Sequence, residues 1–157
     1  MPRLHIVAVG DKLPAWAAAA CDEYLKRLPR GFEADLAEVK PEPRTSGKTV
    51  PQMRAAEAAK LRAALPRGGR LVGLDERGKD LTTVQFSAKL RDWLDSGVPT
   101  AFLVGGPDGL DPALKRDCEL LLRLSSFTLP HALARAVFAE QLYRAASVLT
   151  GHPYHRE

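Results

Sequence analysis

The amino-acid sequence predicts an α/β protein with a mainly parallel sheet that is covered by helices on both faces. Strand-like and helix-like stretches alternate along all 157 residues, which is the pattern of parallel strands joined by crossover helices. A chain of this length forms one domain with its own core, and it contains neither a repeat nor a linker, so we predict a single domain over residues 1–157. The predicted strands are Leu4–Gly10, Phe32–Val39, Arg70–Leu74, Thr100–Val104 and Leu124–Leu129.

The predicted strands are short apolar runs that end at turn residues. Leu4–Gly10 consists mainly of Leu, Ile, Val and Ala and ends on glycine, and Thr100–Val104 is apolar after its first residue. Continuous apolar runs of this kind are typical of strands buried on both faces of a parallel sheet. Phe32–Val39 carries charges between its apolar residues, so we place it nearer to an edge of the sheet.

Breakers and capping residues separate the helices. Asp11 and Pro14 introduce a first helix with an apolar face, and Asp111 followed by Pro112 is a strong helix start, since it combines a capping aspartate with proline at the first helical position. Residues 40–50 are polar and rich in breakers, and we predict a mobile loop there. The other predicted helices are Pro51–Leu65, Thr83–Leu94, Asp111 to about Leu122 and Pro130–Thr150.

Composition limits the classes of protein. No apolar run is long enough to span a membrane, and the amino terminus lacks a signal-peptide pattern. Cys21 and Cys118 lie far apart, without metal-ligand or redox spacing; we expect free buried thiols and a cytoplasmic protein. The net charge of +4 is compatible with nucleic-acid binding, but a merely solvated basic surface explains it equally well.

Three segments at strand ends are candidate ligand-binding segments, because ligands bind at the carboxyl ends of strands in open α/β sheets. Segments 105–110 and 74–79 follow predicted strands, and 124–131 is the junction between the last predicted strand and the last helix. The first reads Gly-Gly-Pro-Asp-Gly-Leu; its glycine spacing and late position do not match a dinucleotide fingerprint, and a phosphate-binding lysine is absent. Such a loop is either plain turn chemistry or a site for a nucleoside ligand without phosphates, of which S-adenosylmethionine is an example.

The carboxyl-terminal residues 151–157 are unusually rich in histidine, tyrosine and arginine. These side chains can stack on a splayed RNA base and hydrogen-bond to it, although a frayed chain end is the ordinary alternative. His152 and His155 have no cysteine or acidic partner at metal-ligand spacing, so we predict no metal site. Arg135 and Arg144 on the last helix are candidates for phosphate contacts or for a solvated surface.

The chain resembles the ribosomal RNA large subunit methyltransferase H family over essentially its whole length. The residues that carry the resemblance are Val7–Gly10, Leu103–Leu110, Thr128–His131, Glu140–Ala145 and His152–Glu157. The resemblance implies a SPOUT methyltransferase with a carboxyl-terminal trefoil knot over about residues 70–157, an exception to the rule against threaded loops. It also implies a homodimer that uses S-adenosylmethionine to methylate N3 of a pseudouridine in 23S rRNA within assembled ribosomes.

The resemblance also implies roles for individual residues. The family's cofactor contacts match Leu74, Gly106, Ser125, Ser126, Phe127, Thr128, Leu129 and Pro130. We further hypothesise that His155 and Tyr154 approach the target base, since histidine exchanges protons near neutral pH. Arg144 and Arg156 would then lie on phosphate or on the developing anion, and Arg135 is a further candidate for RNA contact.

Three alternatives remain open at the level of sequence. The first is a nucleotide-dependent α/β enzyme that uses the glycine loop for phosphate, and the second is a noncatalytic RNA-binding or ribosome-associated factor with a vestigial pocket. The third is a soluble α/β domain of unknown purpose, which is all that the residues would indicate without the resemblance. The missing lysine argues against the first. Basic charge and the aromatic tail suit the second as well as they suit an enzyme, so cofactor binding or turnover has to separate them.

Overall fold

The computed structural model describes residues 3–45 and 47–156 and contains a five-stranded sheet in the order β2-β1-β4-β3-β5. All four strand pairings are parallel, as predicted. The strands are β1 (Leu4–Val9), β2 (Ala34–Val39), β3 (Arg70–Asp80), β4 (Thr100–Val104) and β5 (Leu120–Arg123). The helices are α1 (Ala15–Leu25), α2 (Val50–Ala63), α3 (Thr83–Ser96), α4 (Pro112–Arg116) and α5 (His131–Thr150), followed by a 3₁₀ turn at Pro153–Arg156.

Two hydrophobic cores cover the two faces of the sheet. Strand β4 is buried at every position, because its side chains contribute alternately to both cores. On one face α1, α3 and α5 pack around Phe86, Phe102 and Phe138, whose rings lie 4.9–6.3 Å apart. On the other face α2 and α4 cover Leu103 and its neighbours. The predicted arrangement of helices on both faces is therefore confirmed.

The final strand lies earlier in the chain than we predicted. The predicted strand Leu124–Leu129 is wrong: the strand is Leu120–Arg123, and residues 124–130 form a loop. The helix predicted from Asp111 to Leu122 ends at Arg116 for the same reason. An apolar run this short suits a helix as well as a strand, and pairing with β3 decides, because Leu120 to Leu122 lie in register with Val72 to Leu74.

Helix starts follow local signals that are visible in the sequence. Thr49 caps α2 and Thr82 caps α3, and each forms a capping box with a glutamine three residues later. In the described part of the chain, no helix is both long and apolar enough to cross a membrane. Helices α2, α3 and α4 thus begin where a side chain satisfies a free backbone N–H group, whereas α1 and α5 begin after a proline without such a cap.

Candidate active site at the carboxyl ends of the strands

A pocket of about 660 Å³ opens at the carboxyl ends of the strands, where the three loops singled out from the sequence converge. Strands β4, β3 and β5 are neighbours in the sheet, so the loops that follow them or interrupt them lie side by side. The volume lies within the range of about 300–1,000 Å³ that is typical of small-molecule sites. The three segments singled out as candidates for ligand binding therefore line one pocket.

The glycine loop after β4 is a tight turn that forms one wall of the pocket. The Gly109 N–H donates to the Gly106 carbonyl at 2.9 Å, and Gly109 has a φ of 81°, a conformation that favours glycine. A Cβ atom on Gly105 would lie 2.7 Å from the Gly109 carbonyl carbon, and one on Gly106 would lie 3.1 Å from Val9 and 3.2 Å from Glu57. The loop thus brings bare backbone to the pocket.

The second wall is an irregular excursion within β3 rather than a loop after it. The pairing of β3 with β5 shifts register between Leu74 and Lys79, and Asp75 lies in this excursion. Burial alone would raise the pKa of the Asp75 carboxyl, but hydrogen bonds from the Arg77 N–H at 3.0 Å and from Lys115 at 2.7 Å outweigh burial and lower it. The ion pair with Lys115 fixes the excursion to α4.

The third wall is the loop after β5 and the first turn of α5. The Phe127 N–H donates to the Ser125 hydroxyl at 2.9 Å, and the Phe127 side chain is 82% exposed at the rim. His131 begins α5, and its Nε2 is buried without a hydrogen-bond partner. Burial lowers the pKa of His131, with a further contribution from the Arg135 charge, so this wall presents a neutral imidazole at neutral pH.

The residues predicted to contact a cofactor lie almost all in this pocket. Seven of the eight line it, and Ser126 is exposed beside it without lining it. The seven lining residues are Leu74, Gly106, Ser125, Phe127, Thr128, Leu129 and Pro130. Residues 124–130 form an irregular loop. Its side chains therefore point in different directions, and that of Ser126 is not among those that line the pocket.

The predicted catalytic residues of the tail lie outside the pocket of their own chain. Tyr154 docks on α5: its hydroxyl donates to Glu140 at 2.7 Å and its ring centroid lies 4.6 Å from that of Tyr143. Arg144 stacks over the Tyr154 ring at 4.7 Å and contacts Glu140 at 2.9 Å. The half-buried His155 has a buried Nδ1 without a partner, and Arg156 is exposed. The 3₁₀ turn Pro153–Arg156 is therefore packed against α5 through Tyr154.

Arg135 does not lie on the surface, which corrects its prediction as an RNA contact. It is only 4% exposed, and its guanidinium donates to the Gly10 carbonyl at 3.0 Å and to Glu38 at 2.7 Å. These contacts tie α5 to the carboxyl ends of β1 and β2. A side chain that is buried and already paired cannot reach a phosphate without breaking both bonds, so Arg135 has a structural role.

Sequence reasoning missed pocket residues that other elements contribute. Arg54 of α2, Lys115 of α4 and Arg123 of β5 line the pocket, and no local motif marks them. His131 fell within a predicted loop, but its buried nitrogen could be seen only in the structure. Among residues 3–45 and 47–156, no cluster of His, Cys, Asp or Glu has the geometry of a metal site.

The fold and the pocket at the carboxyl ends of the strands agree with the family that the sequence matches. Residues 2–155 match the family described as "Predicted SPOUT methyltransferase", and the chain belongs to this family. Within it, the chain belongs with the proteins named ribosomal RNA large subunit methyltransferase H. It is 58% identical to the one from Bordetella pertussis and 53% identical to the one from Paraburkholderia phymatum, in each case over 98% of this chain and 99% of the relative.

Solved structures agree with this fold at low sequence identity. A probable methylase family protein from Haemophilus influenzae Rd KW20 superposes with a TM-score of 0.62 at 15% identity, covering 99% of this chain and 69% of that one. A methylase family protein from Neisseria gonorrhoeae gives 0.55 at 15% identity, covering 90% of this chain and 82% of that one. At this identity the likeness concerns the fold alone.

Proposed function

We propose that this protein transfers a methyl group from S-adenosylmethionine to N3 of a pseudouridine in 23S rRNA, acting on assembled ribosomes in the cytoplasm as a homodimer. The observation that carries the proposal is the three-loop pocket in a chain 58% identical to a ribosomal RNA large subunit methyltransferase H. The trefoil knot over about residues 70–157 is part of the same proposal, since it is characteristic of the SPOUT class.

The residues of the pocket fit an adenosine-containing cofactor without phosphates. The glycine loop offers bare backbone where a Cβ atom would meet Gly109, Val9 or Glu57, and a phosphate-binding lysine loop is absent from the sequence. S-adenosylmethionine supplies a methyl group on a positively charged sulfur, so the cofactor carries the hard chemistry. The residues that would hold it are Leu74, Gly106, Ser125, Phe127, Thr128, Leu129 and Pro130; Ser126, the remaining predicted contact, is exposed and does not line the pocket.

The contribution of the protein is positioning and the removal of one proton. Alignment of a base nitrogen with a methyl donor can supply about 7–11 kcal/mol of the barrier in favourable cases. The nitrogen loses its proton as it gains the methyl group, and we assign this proton to His155, a half-buried histidine of the tail. Burial and the hydrogen bond to Glu140 raise the pKa of Tyr154, so its hydroxyl stays protonated and acts as a donor.

In the proposed dimer, the tail can reach a pocket even though it lies away from the pocket of its own chain. Tyr154 docks beside Glu140, which lies nine residues after His131 at the pocket wall, or about 13 Å along α5. In the proposed homodimer the tail of one subunit completes the pocket of its partner. Arg144 holds Tyr154 in place through its stacking contact, and Arg156, which is exposed, is free to contact RNA phosphate.

The proposal is tested by transfer of a tritiated methyl group to intact ribosomes and to naked rRNA, with mapping of the labelled nucleoside. We expect label on N3 of one pseudouridine in intact ribosomes. The His155→Gln variant should lose most single-turnover activity, whereas His5→Gln, near the amino end of β1 where His5 pairs with Asp35, should retain it. Absence of label with folded protein would reject the enzymatic proposal and favour a noncatalytic RNA-binding factor. Equal activity of His155→Gln and wild type would reject the assignment of the proton.

A further inference from the structure

Arg54 is a pocket residue whose charge has no carboxylate partner among the residues that the structure describes. It lies in the second turn of α2 and lines the pocket, and it is half-buried. Its Nε is buried without a hydrogen-bond partner. Across residues 3–45 and 47–156 the structure gives this guanidinium neither a hydrogen bond nor an ion pair. A buried donor that loses water without gaining a partner is destabilising. A ligand that accepts a hydrogen bond from the Arg54 guanidinium would remove this cost.

The other half-buried cations of the pocket wall differ from Arg54, because each has a carboxylate. Lys115 lies 2.7 Å from Asp75, and Arg123 lies 3.1 Å from Asp80. Their charges are balanced within the protein, and they are held against the walls. Arg123 also has a buried Nε without a hydrogen-bond partner, but among the half-buried cations of the pocket in residues 3–45 and 47–156 only Arg54 lacks a carboxylate partner.

The position of Arg54 is fixed by the residue one turn further along α2. Glu57 is 3% exposed, accepts the Glu42 N–H at 3.0 Å and packs behind Gly106. This contact anchors α2 against the glycine loop. Arg54 is thus held on the face of the sheet opposite to most of α5, where it lines the pocket beside the glycine loop.

We propose that Arg54 binds the carboxylate of the amino-acid part of S-adenosylmethionine. The inference rests on the proposed function, because that cofactor has one carboxylate and no other anionic group. A guanidinium matches a carboxylate with two parallel hydrogen bonds, which lysine cannot reproduce. Arg54 then acts as a specificity-determining residue: it distinguishes the complete cofactor from adenosine derivatives that lack the amino acid.

Calorimetric binding to the purified full-length chain tests this assignment without turnover. The probes are S-adenosylhomocysteine, which has the carboxylate, and 5′-methylthioadenosine, which lacks it. We expect Arg54→Gln to weaken binding of S-adenosylhomocysteine about 10- to 100-fold, the usual effect of losing a charge-assisted pair. Binding of 5′-methylthioadenosine should change less than about twofold. Arg54→Lys should fall between the wild type and Arg54→Gln for the first probe.

Arg62→Gln is the matched control, because Arg62 lies two turns further along the same helix and pairs with Asp117 on the surface. It should bind both probes as the wild type does. Thermal unfolding of Arg54→Gln should match or exceed that of the wild type, since the substitution removes an unpaired charge.

Two outcomes overturn the assignment alone. If Arg54→Gln weakens both probes equally, the role of Arg54 is structural; if it weakens neither but raises the KM for ribosomes, its ligand is an RNA phosphate. If the wild-type chain binds neither probe, the proposed cofactor falls together with this inference, so failure of the two proposals is distinguishable.

Discussion

The ion pair between Arg135 and Glu38 should show an asymmetric dependence of stability on its two partners. The Arg135 side chain is 3% exposed, whereas the Glu38 side chain is 33% exposed. Removing the carboxylate leaves a charge in the interior, while removing the guanidinium leaves a carboxylate that water can reach. Breaking a buried pair by removing one partner costs about 3–5 kcal/mol; because Glu38 is partly hydrated, we expect about 3 kcal/mol for Glu38→Ala.

Arg135→Met should be less destabilising, because it keeps much of the aliphatic volume and leaves no buried charge. It loses the hydrogen bonds to Gly10 and Glu38, and we expect about 1–2 kcal/mol. The double variant should be more stable than Glu38→Ala alone. The assay is urea unfolding at pH 7 followed by tryptophan fluorescence, since Trp93 is buried. An Arg135→Met variant less stable than Glu38→Ala would refute the reasoning.

Arg135 should also affect the pKa of His131. Burial and then the Arg135 charge lower the pKa of His131 in the folded protein, so folding favours the neutral imidazole. The contribution of His131 to the free energy of unfolding is therefore fully present above the pKa that His131 has in the unfolded chain. It is lost as the pH falls from that value toward the lower pKa of His131 in the folded protein. In Arg135→Met the His131 pKa should rise but remain lowered by burial, as measured by NMR; an unchanged value would contradict the proposed coupling.

Three further outcomes follow from single contacts. Gly105→Ala would place Cβ 2.7 Å from the Gly109 carbonyl carbon, so the variant should not bind S-adenosylhomocysteine in calorimetry. If the variant bound this probe as tightly as the wild type does, the tight turn would not be needed for binding. Thr82→Ala removes the cap of α3 and should lower the free energy of unfolding by about 1 kcal/mol in urea; Thr82→Ser should retain most of it. Burial raises the pKa of the Cys118 thiol to about 11, so a disulfide reagent at pH 8 should label it much more slowly in the folded than in the urea-unfolded chain.

The candidate site divides into a part that local sequence encodes and a part that long-range packing creates. The three loops could be identified because each follows an apolar run or interrupts one, and parallel strands bring their carboxyl ends to one edge of the sheet. Arg54 and His131 could not be assigned, because their significance depends on which atoms are buried without partners. The docking of the tail through Tyr154 and Glu140 also carried no local signal, since residues in a chain end pair only after α5 has folded.

The sequence by itself determined the α/β class, the helices on both faces and the strands β1 and β4, because continuous apolar runs separated by capped helices are compatible with few other arrangements. Tertiary structure decided the position of the last strand and the burial of Arg135. It placed the last strand at Leu120–Arg123 rather than at 124–129, since pairing with β3 outweighed the local pattern. It also buried Arg135 against Glu38, a partner 97 residues away in the chain. Burial and strand pairing join residues that are distant in sequence. The local hydrophobic periodicity of the sequence therefore cannot predict them.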